Sequence, residues 1–453
     1  VATICTDAFF PVGKAEGEIL GIQGLPIAAI PHPMANRSRE EVNVIAEGAL
    51  PEIIHILTTD RKQLQSEYKD TIVQTEKKPS PTRKMLFKDG ISIAAEEKRI
   101  KAPDSLDAVN RIFYDHGLTD GLPIIPPTSE RVEQMIARCE WDPETLIGRI
   151  PPKDGEATVE KIAANATMAG CLPEYLSVVI AAAQAMIQPR FNLNALQATT
   201  HPVTVLIFIN GPLSDALDLN YSYNAMGQGN LGNATIGRAI RLLLINVGGA
   251  SPGELDRATL GSPAKYTFCF AENERENPWE PFHVERGFSQ TVSTVTVIGA
   301  EGPHNVNDHG GKSAEEVLIT IAGSLATPGT NNIYLGGEPM VVLGPEHASI
   351  IARDGFSKKD VKAFLYEHAR LPLSGISNGN KKQFKKNNPE RFSGLKDTDR
   401  VPLVEDPDEF MIVVAGGKGR HSVIIPTFGG HTRAVTVAVT DKTGEPIIPE
   451  FEV

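Results

Sequence analysis

The chain has 453 residues, 41% of them hydrophobic and 22% charged, with a formal net charge of -12 at pH 7, the balance of a globular protein long enough for two or three separate cores. The negative excess excludes a general nucleic-acid or anionic-membrane binder and favours small molecules or protein partners. No apolar run is long enough to span a bilayer, no signal peptide opens the chain, and the four cysteines (Cys5, Cys139, Cys171, Cys269) fit neither a disulfide scaffold nor a zinc ribbon, so a cytoplasmic setting is expected.

Residues 1–57 read as the end of a parallel-sheet α/β domain. A strand is expected at Val1–Cys5, a helix at Pro11–Leu20, a strand at Ile27–Ile30 and a helix at Ser38–Leu57, with Ser38 and Glu41 as a capping box. Parallel strands need neighbours to pair with and helices to cover them, so an upstream segment or partner chain is expected to complete the sheet. His32, between two prolines at a strand's carboxyl end, is a candidate substrate contact, because open α/β sheets bind ligands there, and equally a rigid-turn residue. Cys5, beside aromatics, reads as a buried inert thiol. The stretches TDAFF, IPHPM and REEVNVIAEGALPEIIHIL resemble the C-terminal part of the UGSC family of selenocysteine- or cysteine-containing proteins. The resemblance implies thiol or selenol redox chemistry at a Sec/Cys-Gly-Ser-Cys element that precedes such a segment in the family and does not occur in these 453 residues.

Residues 58–103 are rich in charge and poor in large apolar side chains, the composition of a linker, with Met85–Phe87 and Ile91–Ile93 as a possible docked hairpin. Residues 104–453 are expected to form a large α/β domain with a mixed sheet. Ser105 opens a helix, Asp120-Gly121-Leu122-Pro123 leads into the strand-like Ile124-Ile125, and Thr128 caps a helix through Arg138. Two alanine-rich helices follow, Thr158–Met168 and Pro173–Ile187. Cys171 just precedes the second, where the positive helix end lowers a thiol pKa, so Cys171 is the candidate nucleophile and Glu174 a candidate acid or base; packing of Cys171 and ordinary helix-end complementarity of Glu174 are the competing readings.

The apolar run at Val203–Asn210 predicts a buried central strand. After it, Gly227, Gly229 and Gly232 form a glycine-rich loop feeding a helix, with Asn233 as N-cap and Arg238 in the first turn. Backbone amides and a cation at a helix start suit a small anionic or carboxylate-bearing metabolite. The GQGNLG match to a dinucleotide fingerprint is weak, since no strand directly precedes it. Further strands are expected around Cys269 and at Ser293–Ala300, with His283 in the intervening aromatic loop as a candidate substrate contact, closure of a core by that loop being the competing reading.

Residues 302–311 hold His304, Asp308 and His309 ahead of a helix beginning at Ser313. Acid–base work is the favoured role, and a divalent metal is the alternative, although no third partner is evident. The last third predicts strands at Pro339–Leu343, Phe410–Ala415, His421–Ile425 and Ala434–Val439, a helix capped by Ser357, a basic surface insertion at Lys381–Asp399, and Gly416–Gly419 as a hairpin turn. Taken together, the chain is expected to be an enzyme, and a homo-oligomer, whose loops at Ala169–Glu174, Gly227–Arg238 and Gly302–Gly311 line one anion-attracting pocket. The alternatives are a metal-dependent hydrolase or lyase and a non-catalytic ligand-binding subunit.

Overall fold

The computed structural model describes residues 2–32, 34, 39–69 and 99–449. In the N-terminal body, β1 (Thr3–Thr6) and β2 (Ile27–Ile30) pair in parallel, joined through α1 (Phe10–Ile19) and followed by α2 (Arg39–Thr58). The Ser38 side of the expected capping box lies outside the described residues. Residues 61–68, within the stretch expected as linker, form a helix. Asp60 caps α3 (Arg61–Tyr68), whose Leu64 and Tyr68 join Ala28 and Ile56 in a small core. Lys14 Nζ donates to the Tyr68 carbonyl at 2.5 Å, so a small apolar core and a few polar ties hold this body together. The hairpin expected at Met85–Ile93 lies outside the described residues.

In the large region, Ser105 caps α4 (Leu106–Asp115) and Thr128 caps α5 (Ser129–Ala137). The Ile124-Ile125 stretch is extended but joins no sheet. A hairpin of β3 (Leu146–Ile150) and β4 (Gly155–Thr158) leads into α6 (Val159–Ala169) and α7 (Leu176–Met186). Their small apolar residues are buried almost throughout, which lets the two helices lie close to each other and to the sheet. The chain continues through β5 (Thr204–Asn210), α8 (Leu231–Asn246), β6 (Cys269–Ala271), β7 (Thr294–Ala300), β8 (His304–Asn307), α9 (Ala314–Leu325), β9 (Met340–Leu343), α10 (Pro345–Arg353) and α11 (Lys358–His368). A short β10 (Arg370–Pro372) pairs with β11 (Arg400–Pro402), and between them α12 (Asn378–Asn387) and the turn Pro389–Phe392 tuck Phe392 into the core. The basic insertion is therefore anchored from beneath. The chain ends with β12 (Met411–Val414), β13 (His421–Ile425) and β14 (Val435–Ala438).

Two four-stranded mixed sheets result, in the orders β14-β7-β5-β6 and β12-β9-β13-β8. They share one plan. In the first, β6 is parallel to β5, then β7 and β14 run antiparallel in turn. In the second, β12 is parallel to β9, then β13 and β8 run antiparallel in turn. Side-chain alternation stacks the layers. Leu206 and Phe208 meet Met340, Val342, Met411 and Val413 in a core between the sheets. Val205, Ile207 and Ile209 face α6, α7 and α8 on one outer side. Val341 and Leu343 face α9, α10 and α11 on the other. The large region is thus a four-layer helix–sheet–sheet–helix sandwich.

The sheets also exchange edges. After β7 the chain crosses to the second sheet as β8, and after β13 it crosses to the first as β14. The crossings bind each other: Glu301 N–H donates to the Pro426 carbonyl at 2.8 Å and Phe428 N–H to the Gly299 carbonyl at 3.0 Å. This corrects the hairpin expected at Gly416–Gly419. Its flanking strands β12 and β13 are separated by β9, so the glycines bridge across a strand instead of reversing beside one.

Candidate functional site

The carboxyl ends of the two parallel pairs meet. Asn273 N–H, just past β6, donates to the Val414 carbonyl at the end of β12 at 2.8 Å, and Gly416 N–H donates to the Tyr221 carbonyl, also at 2.8 Å. Gly417 lies flat against the Tyr223 ring, where an added Cβ would come within 2.2 Å of it. Beside this junction the glycine-rich loop and the short helix Leu213–Ala216 enclose a cleft of about 460 Å³. Its walls include Ser214, Asp215, Asp218, Asn220, Tyr221 and Gln228.

The loop folds by side chains bonding to backbone. Asn230, not Asn233, caps α8, accepting from Asn233 N–H at 2.9 Å. Asn233 sits inside the first turn and struts the loop: its amide donates to the Asn220 carbonyl at 2.7 Å and the Ala225 carbonyl at 3.0 Å, while its oxygen accepts from Asn220 N–H. Gly229 has φ of 116°, a conformation reserved for glycine, and borders the cleft with Asn230. Gly227 and Gly232 are packed against Asn224 and Leu219, and neither lines the cleft.

Within the cleft, Asp215 accepts from Tyr221 O–H at 2.8 Å and from Arg275 at 2.9 Å. Among the described residues no hydrogen bond or ion pair engages the exposed Asp218 carboxylate, although its backbone carbonyl accepts from Asn230 at 2.6 Å. Ser214 is 6% exposed and its hydroxyl has no partner. Behind the cleft lies a buried polar plug. Glu272 accepts from Asn210, Asn277 and Phe282 N–H, and Glu274 accepts from Asn210 and Gly211 N–H. Burial pushes the Glu272 carboxyl up, against the opposing pull of Lys358, Phe282 N–H and Asn210. His283, expected to face substrate, is fully buried instead; Glu274 stands 3.6 Å from its Nδ1, and burial lowers its pKa. Phe282 and Trp279 close cores, the latter by donating to the Phe356 carbonyl at 2.8 Å.

The remaining expected site residues are dispersed. Arg238 is occupied by the protein itself: Asp120, 3% exposed, takes its guanidinium through bonds of 2.8 and 3.0 Å, and the Pro123 carbonyl takes another at 2.8 Å. Cys171 is buried between α6 and α7, and burial pushes its thiol up to about 12 against the smaller pulls of Thr235 and Arg238. Helix-end electrostatics are outweighed there by desolvation. Glu174 is exposed and bonds Arg138 at 3.3 Å. His32 is exposed at the carboxyl end of β2, its N–H donating to Asp7 at 3.1 Å.

The 302–311 stretch is partly a strand. His304 opens β8, while the Asp308 carboxylate accepts from Gly311 N–H and Thr320 O–H, both at 2.7 Å. His309 faces His421 across 3.2 Å. Among the described residues no three His, Cys, Asp or Glu side chains assemble as a metal-ligand group. None of Cys171, Glu174, Arg238 and His309 lines the glycine-loop cleft, so the three loops expected to share a pocket do not share this one. Ser214, Asp215, Asp218 and Tyr221 escape a motif search. Their signal is position: carboxylates directly after a Gly-Pro turn at the carboxyl end of a predicted central strand.

The fold and cleft define an α/β sandwich with a small-molecule-sized site at the junction of its two sheets. Residues 1–59 match the model of the UGSC family, and the rest of the chain has no family match. Neither the curated proteins nor the solved structures contain a match to the chain. No helix among the described residues is long and apolar enough to cross a membrane.

Proposed function

We propose that the large region is the substrate-binding part of an enzyme acting on a small polar metabolite, held in the glycine-loop cleft by hydroxyl or amino groups. The observation that carries this is the exposed, unpaired Asp218 carboxylate on the cleft wall, with the unpartnered Ser214 hydroxyl buried in the same wall. A buried hydroxyl without a partner costs free energy unless something bonds it, and Asp218 is suited to accept a bond from a ligand O–H or N–H and to move its proton. Carboxylates at Asp215 and Asp218 repel an anion, and Arg275 is already committed to Asp215. The anionic metabolite suggested by the glycine loop and Arg238 is therefore the weaker reading. Thiol or selenol redox chemistry has the UGSC match as its support. Burial raises the pKa of each of the four cysteines here, which lowers their thiolate fraction. The four free thiols fit a reducing, cytoplasmic setting.

The test is calorimetric titration of the full chain with three probe sets: monosaccharides and polyols, primary amines, and dicarboxylates. Binding is expected from the first two sets, weakened at least tenfold by Ser214→Ala and by Asp218→Asn with unchanged melting temperature. Preferential binding of dicarboxylates, or affinities indifferent to both substitutions, would overturn the reading.

A further inference from the structure

Away from the cleft, the outer edge of the second sheet brings two imidazoles together. His309 stands in the loop after β8, and three ties fix that loop. The Asp308 carboxylate closes onto Gly311 N–H, the His347 Nε2–H donates to the Asp308 carbonyl at 3.0 Å, and Arg420 donates to the carbonyls of His309 at 2.9 Å and Gly311 at 3.2 Å. His421 opens β13, and its Nδ1 lies 3.0 Å from the Asn305 side-chain oxygen. An amide oxygen only accepts, so Nδ1 carries the proton and the Nε2 lone pair of His421 is left pointing away from Asn305.

The two Nε2 atoms are 3.2 Å apart, with ring centroids 5.0 Å apart and ring planes at 81°. Two imidazoles on one ion at about 2.05 Å would have their nitrogens about 3.3 Å apart in a tetrahedral arrangement and about 2.9 Å apart in an octahedral one. The same ion would place the ring centres roughly 4.5 to 5.2 Å apart. Both observed distances fall inside these windows. A straight Nε2–H···Nε2 hydrogen bond would hold the centres at about 5.5 Å instead. The shortened centre-to-centre distance fits two nitrogens that share one ligand atom set beside the line between them.

We propose that His309 and His421 form a two-histidine site for a divalent transition metal of the imidazole-preferring kind, zinc, nickel or copper, with Asn305 as the positioning residue that fixes the His421 tautomer. Water completes the coordination, since no third His, Cys, Asp or Glu among the described residues joins the pair. Arg420 adds a positive charge nearby, partly offset by Glu346 at 3.7 Å, so the site is exchangeable rather than permanent. This is not the trio of His304, Asp308 and His309 expected from spacing. Cross-strand register pairs Asn307 with His421 and His304 with Ile424, which puts His304 on the opposite face of the sheet from His421, and the Asp308 carboxylate is engaged within its own loop. The inference is independent of the cleft.

The full chain, freed of metal by chelation, is titrated with zinc chloride against a chromophoric indicator, and with cobalt chloride to read coordination from its visible absorption. One equivalent is expected to bind, His421→Ala and His309→Ala each to abolish the binding, Asn305→Ala to weaken it about tenfold, and His304→Ala to leave it unchanged. Thermal unfolding of each metal-free variant checks that the fold persists. Absence of binding, binding that survives both His421→Ala and His309→Ala in folded protein, or loss of binding in His304→Ala would overturn the proposal.

Discussion

The two halves of the sandwich repeat one strand plan and differ in what they attach to it. At the carboxyl end of the β5–β6 pair the chain places Asn210, Glu272 and Glu274, and builds a cleft over them. At the corresponding end of the β9–β12 pair it places Gly416 and Gly417, whose bare backbone packs against the Tyr221–Tyr223 segment. One half holds the cleft and the other supplies a surface flat enough to back it. Repetition of backbone therefore does not imply repetition of site, and the fold alone is a poor guide to function.

The sharpest way to break that comparison is to ask whether the halves are separable. Phe208 is fully buried between the sheets, stacked on Phe270 at 5.7 Å and edge-on to Phe282 at 5.1 Å. Phe208→Ala is expected to cost about 3–5 kcal/mol, and scanning calorimetry should show the whole sandwich melting together at a lower temperature. Two resolved transitions, only one of them shifted, would show that the halves are independent. Next in size is Arg238→Ala, which leaves the buried Asp120 carboxylate unpaired. A loss of about 3 kcal/mol is expected by denaturant unfolding, with cleft binding unaffected. A variant that keeps its stability but loses ligand affinity would restore Arg238 as a substrate contact.

The smallest expected effect compares one buried histidine from each half. Burial lowers the pKa of His283 in the first half and of His347 in the second. The unfolded chain takes up these protons near pH 6.5 while the folded chain refuses them until a lower pH. Stability contributed by neutral burial is thus complete above about 6.5 and falls as pH drops toward the folded-state values, by up to about 1.4 kcal/mol per pH unit for each histidine. Urea titrations at pH 7.5 and pH 5.5 should show this loss, reduced in His347→Gln and separately in His283→Gln. Equal acid sensitivity in the wild type and both variants would remove the histidines from the account.

Much of the scaffold is legible from sequence because its signals are local. Ser105, Thr128, Ser313 and Ser357 cap the helices they announce, and the uninterrupted apolar run of β5 is buried on both faces. Misreadings arise where two local choices are equivalent or where a distant element decides. Asn230 and Asn233 are both good caps, and only the Asn220 backbone, which needs the Asn233 amide, separates them. β8 is polar at three of its four positions because it is an edge strand with only Val306 buried, so it resembles a loop. The glycine run resembles a hairpin because nothing within it reveals that β9 will insert between its neighbours. At Cys171 the helix start is legible but the depth of burial is not, and depth decides the thiol's character. The partner of Arg238 is likewise hidden, since Asp120 reaches it from a distant loop.

The exchanged edge strands bear on how the protein comes into being. β7 can pair with β5 as soon as both are made, but its other edge stays bare until β14, the last strand among the described residues, arrives from the second sheet. Such distant pairing slows folding, and an open edge is a template for unwanted association. During synthesis the first sheet must therefore wait, with Thr294–Val297 unsatisfied, for the entire second sheet to be translated. A pause in translation or a truncation ahead of Val435 would leave nascent chains with a sticky margin, making the final strand the clasp on which soluble expression depends.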